Sequence, residues 1–225
     1  MENENFLKRL GKGTAQMFKR LPFAFYILAH PIDGFYELKS DKRRHNVPGA
    51  VFLFFVLALT SILKRQLTGY LFTEPYAQLN LNIPYEITIS VLPYIMLIIS
   101  NWCFTSLMDG DGKFKEIFTA TAYATLPLSM CNLIAIPVSN FVSLSENGIY
   151  YFIVSFGMVW CYGMVFLGML VTHQYTVKKA IATAILSIIG MAVIAFIIVL
   201  LFFLMQQVWS FIYQLYTEIN FRVNE

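Results

Sequence analysis

Charge is what this chain has least of. Only 13% of its 225 residues are charged, while 58% are hydrophobic and 16% aromatic. Soluble domains carry about 25% charged residues. The shortage excludes an ordinary soluble domain and points to an integral membrane protein. Cysteine is also scarce. Cys103, Cys131 and Cys161 all fall inside apolar runs, their number is odd, and no CxxC spacing occurs. That pattern excludes a disulfide framework and a cysteine-based zinc site, and buried reduced thiols are expected. A secretory signal is missing as well. The start, "MENENFLKRLGKGTAQMFKRLP", is too polar and lacks a short apolar region before a small-residue cleavage site. The first spanning helix is therefore expected to act as the insertion signal.

What the chain has in abundance is long apolar runs. Five are long enough to cross a bilayer, at 48–72, 85–108, 117–142, 149–171 and 180–205. The expected fold class is all-α: a five-helix transmembrane bundle with N-terminal interfacial amphipathic helices. The expected division is a cytoplasmic or interfacial segment at 1–47, the five-span domain at 48–205 and an extracytoplasmic interfacial tail at 206–225. Short connections should make sequential spans neighbours.

Nine of the sixteen Lys and Arg precede the first span, and Lys113, Lys115, Lys178 and Lys179 follow spans two and four. The loop after span three has none and carries Glu146. This asymmetry predicts a cytoplasmic N-terminus and, with five spans, an extracytoplasmic C-terminus. Lys64 and Arg65 oppose the pattern. They lie about 24 Å along the first span, where long basic side chains can reach the headgroups. They could also contact an anionic lipid, Glu74 or Glu86.

Two segments precede the first span. In the first, Leu7, Leu10, Met17 and Leu21 recur at helical spacing among Lys8, Arg9, Lys12, Lys19 and Arg20. Such a helix lies in the headgroup plane, and those five basic residues are the candidate lipid-binding set for the anionic cytoplasmic leaflet. The second, "FAFYILAHPIDGFYELK", is broken by Pro31 and Gly34 and is too short to span. It reads as an interfacial or re-entrant element. Neither segment reads as a nucleic-acid site, because the basic residues sit beside a membrane anchor. At the other end, "QQVWSFIYQLYTEINFRVNE" carries Val208, Ile212, Leu215 and Ile219 on one face. It either extends the fifth helix or lies flat on the outer leaflet.

The "DGDG" at 109–112 is the best candidate for a metal loop, and it fails. An EF-hand loop starting at Asp109 would place Lys113 where an acceptor is needed and Phe114 where glycine is needed. A tight turn fits better, with glycines supplying unusual backbone angles and Asp111 capping the next helix. No metal and no cofactor is expected. The interiors of spans two to five contain no Asp, Glu, Lys or Arg. Charge there is the usual mark of proton and ion pathways. No Ser/His/Asp or Cys/His set falls at one depth, and HExxH and GxGD-like patterns are absent. An enzyme is not expected, while permeation by uncharged solutes stays open. Ala120 with Ala124, Ala180 with Ala184, and Thr183 with Ser187 have the four-residue spacing of close helix contacts. Pro127 and Pro137 should bend span three. Gly157, Gly163 and Gly168 lack strict GxxxG spacing and carry little information.

Five spans and a turn followed by "FKEIFTATAYATLPL" resemble the Yip domain family, the Ypt/Rab-interacting membrane proteins. "AHPIDGFYELKSDKR" resembles its bacterial branch, over roughly residues 28–205. Eukaryotic members of the family act in vesicle traffic and bind small GTPases through a longer acidic N-terminal region. This chain has no such extension, and "HNVPGAV" replaces the family's Asp- and Gly-containing approach to the first span, so GTPase binding is not carried over. The resemblance implies a bacterial cell-membrane protein that accompanies carbohydrate importers of the ATP-binding-cassette (ABC) class. The function expected is a non-enzymatic accessory or scaffold subunit that binds another membrane complex, such as the permease subunits of an ABC importer. Alternatives are a small independent transporter or channel, or a lipid-organising protein. The candidate partner-binding residues are His30, Pro31, Gly34, Phe35 and Tyr36, together with Asp109, Gly110, Asp111 and Gly112.

Overall fold

The computed structural model describes residues 21–40, 47–72, 82–105, 108 and 110–223. The described chain is helical: α1 (Leu21–Ala29), α2 (Pro31–Ser40), α3 (Val47–Leu67), α4 (Ile83–Thr105), α5 (Phe114–Ala124), α6 (Leu126–Phe141), α7 (Asn147–His173) and α8 (Val177–Val223). Two single 3₁₀ turns lie at Tyr70–Phe72 and Leu144–Glu146. Five helical stretches are long and apolar enough to cross a membrane. Their positions match the five apolar runs, because unbroken hydropathy over about 20 residues leaves the backbone no other way to satisfy its polar groups in lipid.

Span three is α5 and α6 together, and it breaks at Thr125. Pro127 lacks an N–H, so the helical ladder cannot continue through it. The Thr125 hydroxyl donates to Ala122 O at 2.8 Å, which helps close the end of α5. Pro137 sits inside an α6 that remains one helix, so the expected bend at Pro127 becomes a change of helix while Pro137 interrupts nothing.

The helices pack as α3 against α4, α5 and α6, and α7 against α2, α5 and α6. α8 packs mainly on α4. The proximal end of the bundle holds the α4 C-terminus, the α5 N-terminus and the α7–α8 turn. The distal end holds the α3 C-terminus, the α4 N-terminus and the α6–α7 turn. At the distal end Arg65 Nε meets Glu86 Oε1 at 2.9 Å, with the Glu86 side chain only 9% exposed. Glu86 is thus a partner of Arg65, while Glu74 lies outside the described residues. Nearby, Gly69 N–H donates to Ser139 Oγ at 2.9 Å, and Asn140 Nδ2 donates to Leu67 O at 3.0 Å. Between α3, α4, α6, α7 and α8 a cleft of about 870 Å³ remains.

Close approach is set by small residues. A Cβ on Gly157 would lie 2.5 Å from Cys131 Cβ, across the α6–α7 contact. One on Gly190 would lie 2.2 Å from Ser100 Oγ, across α4–α8. Thr183 and Ser187 are both buried, as their four-residue spacing suggested, while of the pair Ala180 and Ala184 the first is buried and the second half-buried. Gly163 faces open space.

α8 runs unbroken for 47 residues, about 70 Å at 1.5 Å per residue. The tail at 206–223 is thus a continuation of the fifth spanning helix. Every residue from 196 to 222 is exposed.

Gly157→Leu forces an extra side chain into the α6–α7 contact and should cost about 1–3 kcal/mol, whereas Gly163→Leu should be close to neutral. Thermal unfolding of the two variants in one detergent checks the difference.

Candidate partner-docking face

At the proximal end the polar side chains of three spanning helices meet. α4 delivers Ser100, Asn101 and Thr105, α7 delivers His173, and α8 delivers Thr183 and Ser187, all buried. His173 Nε2 lies 2.7 Å from Asn101 Oδ1. The amide oxygen only accepts, so the ring proton on Nε2 donates to it. Asn101 Nδ2 in turn donates to Ser187 Oγ at 3.3 Å, and Ser100 Oγ donates to Ser187 O at 2.7 Å. One asparagine thereby joins α4, α7 and α8. This network is neutral, and among the described residues it pairs no nucleophile with a base.

The turn after α7 completes the site. Gln174 adopts the left-handed conformation, at φ 54°, which ends the helix in the manner of an αL cap. The chain then folds back so that the Tyr175 ring stacks on His173, with centroids 5.0 Å apart and planes 16° apart. Lys179 Nζ sits 4.9 Å above the Tyr175 ring, in cation–π range. His173 Nδ1 and Lys39 Nζ are buried with no hydrogen-bond partner among the described residues.

Gly110 and Gly112 lie directly against this cluster. A Cβ on Gly110 would come within 2.2 Å of Tyr175 Oη and 2.9 Å of His173 Nδ1. One on Gly112 would come within 2.5 Å of the His173 ring. No described glycine has a positive φ. The glycines are required here by space, which corrects the expectation of unusual backbone angles. The capping expectation is corrected too. Lys113 occupies the N-cap position of α5, and Glu116 reaches back to accept its N–H at 3.2 Å. Asp111 is exposed two residues upstream. Asp109 lies outside the described residues, as do Lys8, Arg9, Lys12, Lys19 and Arg20.

The pre-span segment forms the rim. α1 and α2 turn at His30 and pack on the bundle through Ala24, Ile27, Phe35 and Leu38. A Cβ on Gly34 would meet Ile27 at 2.8 Å, so the two short helices touch there. Phe35 is 1% exposed and its ring packs over Gly168 of α7. Phe23 meets Tyr123 edge-on at 6.1 Å, a residue about 14 Å along α5 from its start. Gly34 and Phe35 are therefore internal packing residues, with their surfaces covered by their own chain. His30 and Tyr36 are exposed, and Pro31 is half-buried. α2 and the Gly110–Gly112 turn both lie against α7, the first at Gly168 and the second at His173.

The His173 network escaped sequence reading because its partners lie 72 and 86 residues apart. The available signal was an amide, an imidazole and a hydroxyl standing in apolar runs. Gly157 and Gly168 form no GxxxG repeat that would mark them, because each faces a different neighbour, Cys131 and Phe35.

Among the described residues no group of three or more His, Cys, Asp and Glu converges. The Yip1 domain sequence model matches residues 25–204. No curated protein and no solved structure matches the chain.

Breaking the bridge tests its part in the fold. In a cycle of Asn101→Ala, His173→Ala and the double variant, reversible unfolding in mixed micelles should give a coupling of about 1 kcal/mol, within the range for hydrogen bonds between membrane helices.

Proposed function

The chain belongs to the Yip1 domain family, and from that premise we propose that it serves as a non-enzymatic accessory or scaffold subunit of another membrane complex. One observation carries the reading. The apolar run of α8 ends at Met205, which already gives about 39 Å of helix from Ala180, more than a hydrocarbon core of roughly 30 Å. The helix then continues to Val223. On that continuation Val208, Trp209, Phe211, Ile212, Tyr213, Leu215, Tyr216, Ile219 and Phe221 are all exposed. Such a surface beyond the bilayer is the kind that other proteins cover, and its aromatic content is that of interface anchors.

The proximal face offers a second contact. Ile32 and Tyr36 project from α2, Phe25 from α1, and Asp111 and Lys113 from the turn before α5. The partner we favour is the permease of an ABC carbohydrate importer in a bacterial cell membrane, with the proximal end cytoplasmic. The support is the resemblance of "AHPIDGFYELKSDKR" to the family's bacterial branch and the Lys and Arg asymmetry of the loops. A second reading, a small independent transporter or channel, draws on the 870 Å³ cleft. Flux in liposomes holding this chain alone would favour it.

The test is purification in mild detergent at native expression, with mass spectrometry of what accompanies the chain. We expect importer membrane subunits to co-purify. Replacing Trp209 and Tyr213 by alanine should lower their recovery about tenfold, as for interface hot spots. Recovery of the chain alone would overturn the reading.

A further inference from the structure

The cleft has a chemistry of its own. Its distal mouth is polar: Lys64, Arg65, Glu86 and Thr68 line it, with Ser61 and Ser90 just inside. Its depth is mostly apolar, lined by Leu57, Leu97, Val165, Met169, Ile188 and Met191, with the polar groups of Tyr94, Asn132 and Tyr162 among them. On α4 the lining ends at Leu97, one turn before Ser100 and Asn101, while on α8 it runs past Ser187 to Ala184.

The charges at the mouth are unbalanced. Glu86 is paired with Arg65 at 2.9 Å, and Lys64 has no ion pair among the described residues. Among the described residues one positive charge is left over at the edge of the hydrocarbon, where an unpaired cation is costly; Glu74 lies outside them. Along α4 the cleft extends from Glu86 to Leu97, about 17 Å of helix. One leaflet of a hydrocarbon core roughly 30 Å thick is about 15 Å deep. The volume is near the upper end of the range for small-molecule pockets, roughly 300–1,000 Å³.

We propose that this cleft holds an anionic phospholipid of the distal leaflet, with its phosphate on Lys64 and Arg65 and an acyl chain inserted between α4, α6 and α7. Among the described residues of the mouth the surplus is positive, which favours an acidic headgroup. The predominance of apolar side chains such as Leu57, Leu97 and Met169 over polar ones such as Asn132 and Tyr162 favours a hydrocarbon chain over a sugar. The depth matches a single leaflet, so the occupant is a bilayer lipid drawn in from the side. This goes beyond the scaffold reading and does not depend on it, because it concerns the isolated chain.

The experiment uses the full chain in nanodiscs of equal phosphatidylglycerol and phosphatidylcholine, released into the gas phase and weighed with its retained lipids. The expected result is one retained lipid per chain, with phosphatidylglycerol preferred. Lys64→Gln should reduce that preference about tenfold, the loss expected for a charge-assisted hydrogen bond. Ala184→Phe, which fills the inner end of the cleft, should lower retention of both lipids. Ser61→Phe does the same from α3 and serves if Ala184→Phe does not fold, folding being judged by a single size-exclusion peak. No retained lipid, equal retention of the two lipids, or an unchanged preference in folded Lys64→Gln would each overturn the proposal.

Discussion

In a hydrocarbon solvent an apolar helix face gains no hydrophobic free energy from meeting another apolar face, so spanning helices are held by close packing and by hydrogen bonds between them. Here such bonds converge at Asn101. Its two amide atoms reach His173 on α7 and Ser187 on α8 at once, and the alternative for each group is an unsatisfied polar atom in lipid. The contact also fixes register. The Ser187 backbone oxygen accepts from Ser100, and Gly190 must then pass Ser100 without a side chain. Gly110 and Gly112 can lie against the imidazole only because the bridge holds that ring in place.

The two ends of the bundle use different forces. The proximal end is tied by neutral hydrogen bonds and by glycine contacts with an aromatic stack. The distal end is tied by the Arg65–Glu86 ion pair and by hydrogen bonds between α6 side chains and the backbone at the end of α3. Between the ends, the break at Thr125 lets Leu128 and Asn132 of α6 line the cleft that α5 does not reach.

The spans were legible because hydropathy is a one-dimensional property: unbroken runs such as 85–108 and 180–205 have no other solution in lipid. The small-residue contacts were partly legible. Thr183 and Ser187 could be assigned to an interface from their spacing, but the partner helix could not, since that depends on three-dimensional packing. The turn at Gly110–Gly112 was legible as a turn, and its cause was not. Close approach and positive φ both call for glycine, and only the position of His173 separates them. Phe35 stood out in the sequence as a feature of the pre-span segment, yet its burial against Gly168 depends on a residue 133 positions away.

The length of α8 has a mechanical consequence. The helix is fastened to the bundle near one end, around Ala180, Thr183 and Ser187, and its far tip stands about 54 Å beyond Ser187 at 1.5 Å per residue. It is a lever with its fulcrum at the short end. A sideways load applied near Phe221 is multiplied at the Ser187 contact, the same contact that positions Asn101 and through it His173. Movement at one face of the membrane is thereby geared to the opposite face by a single rigid rod.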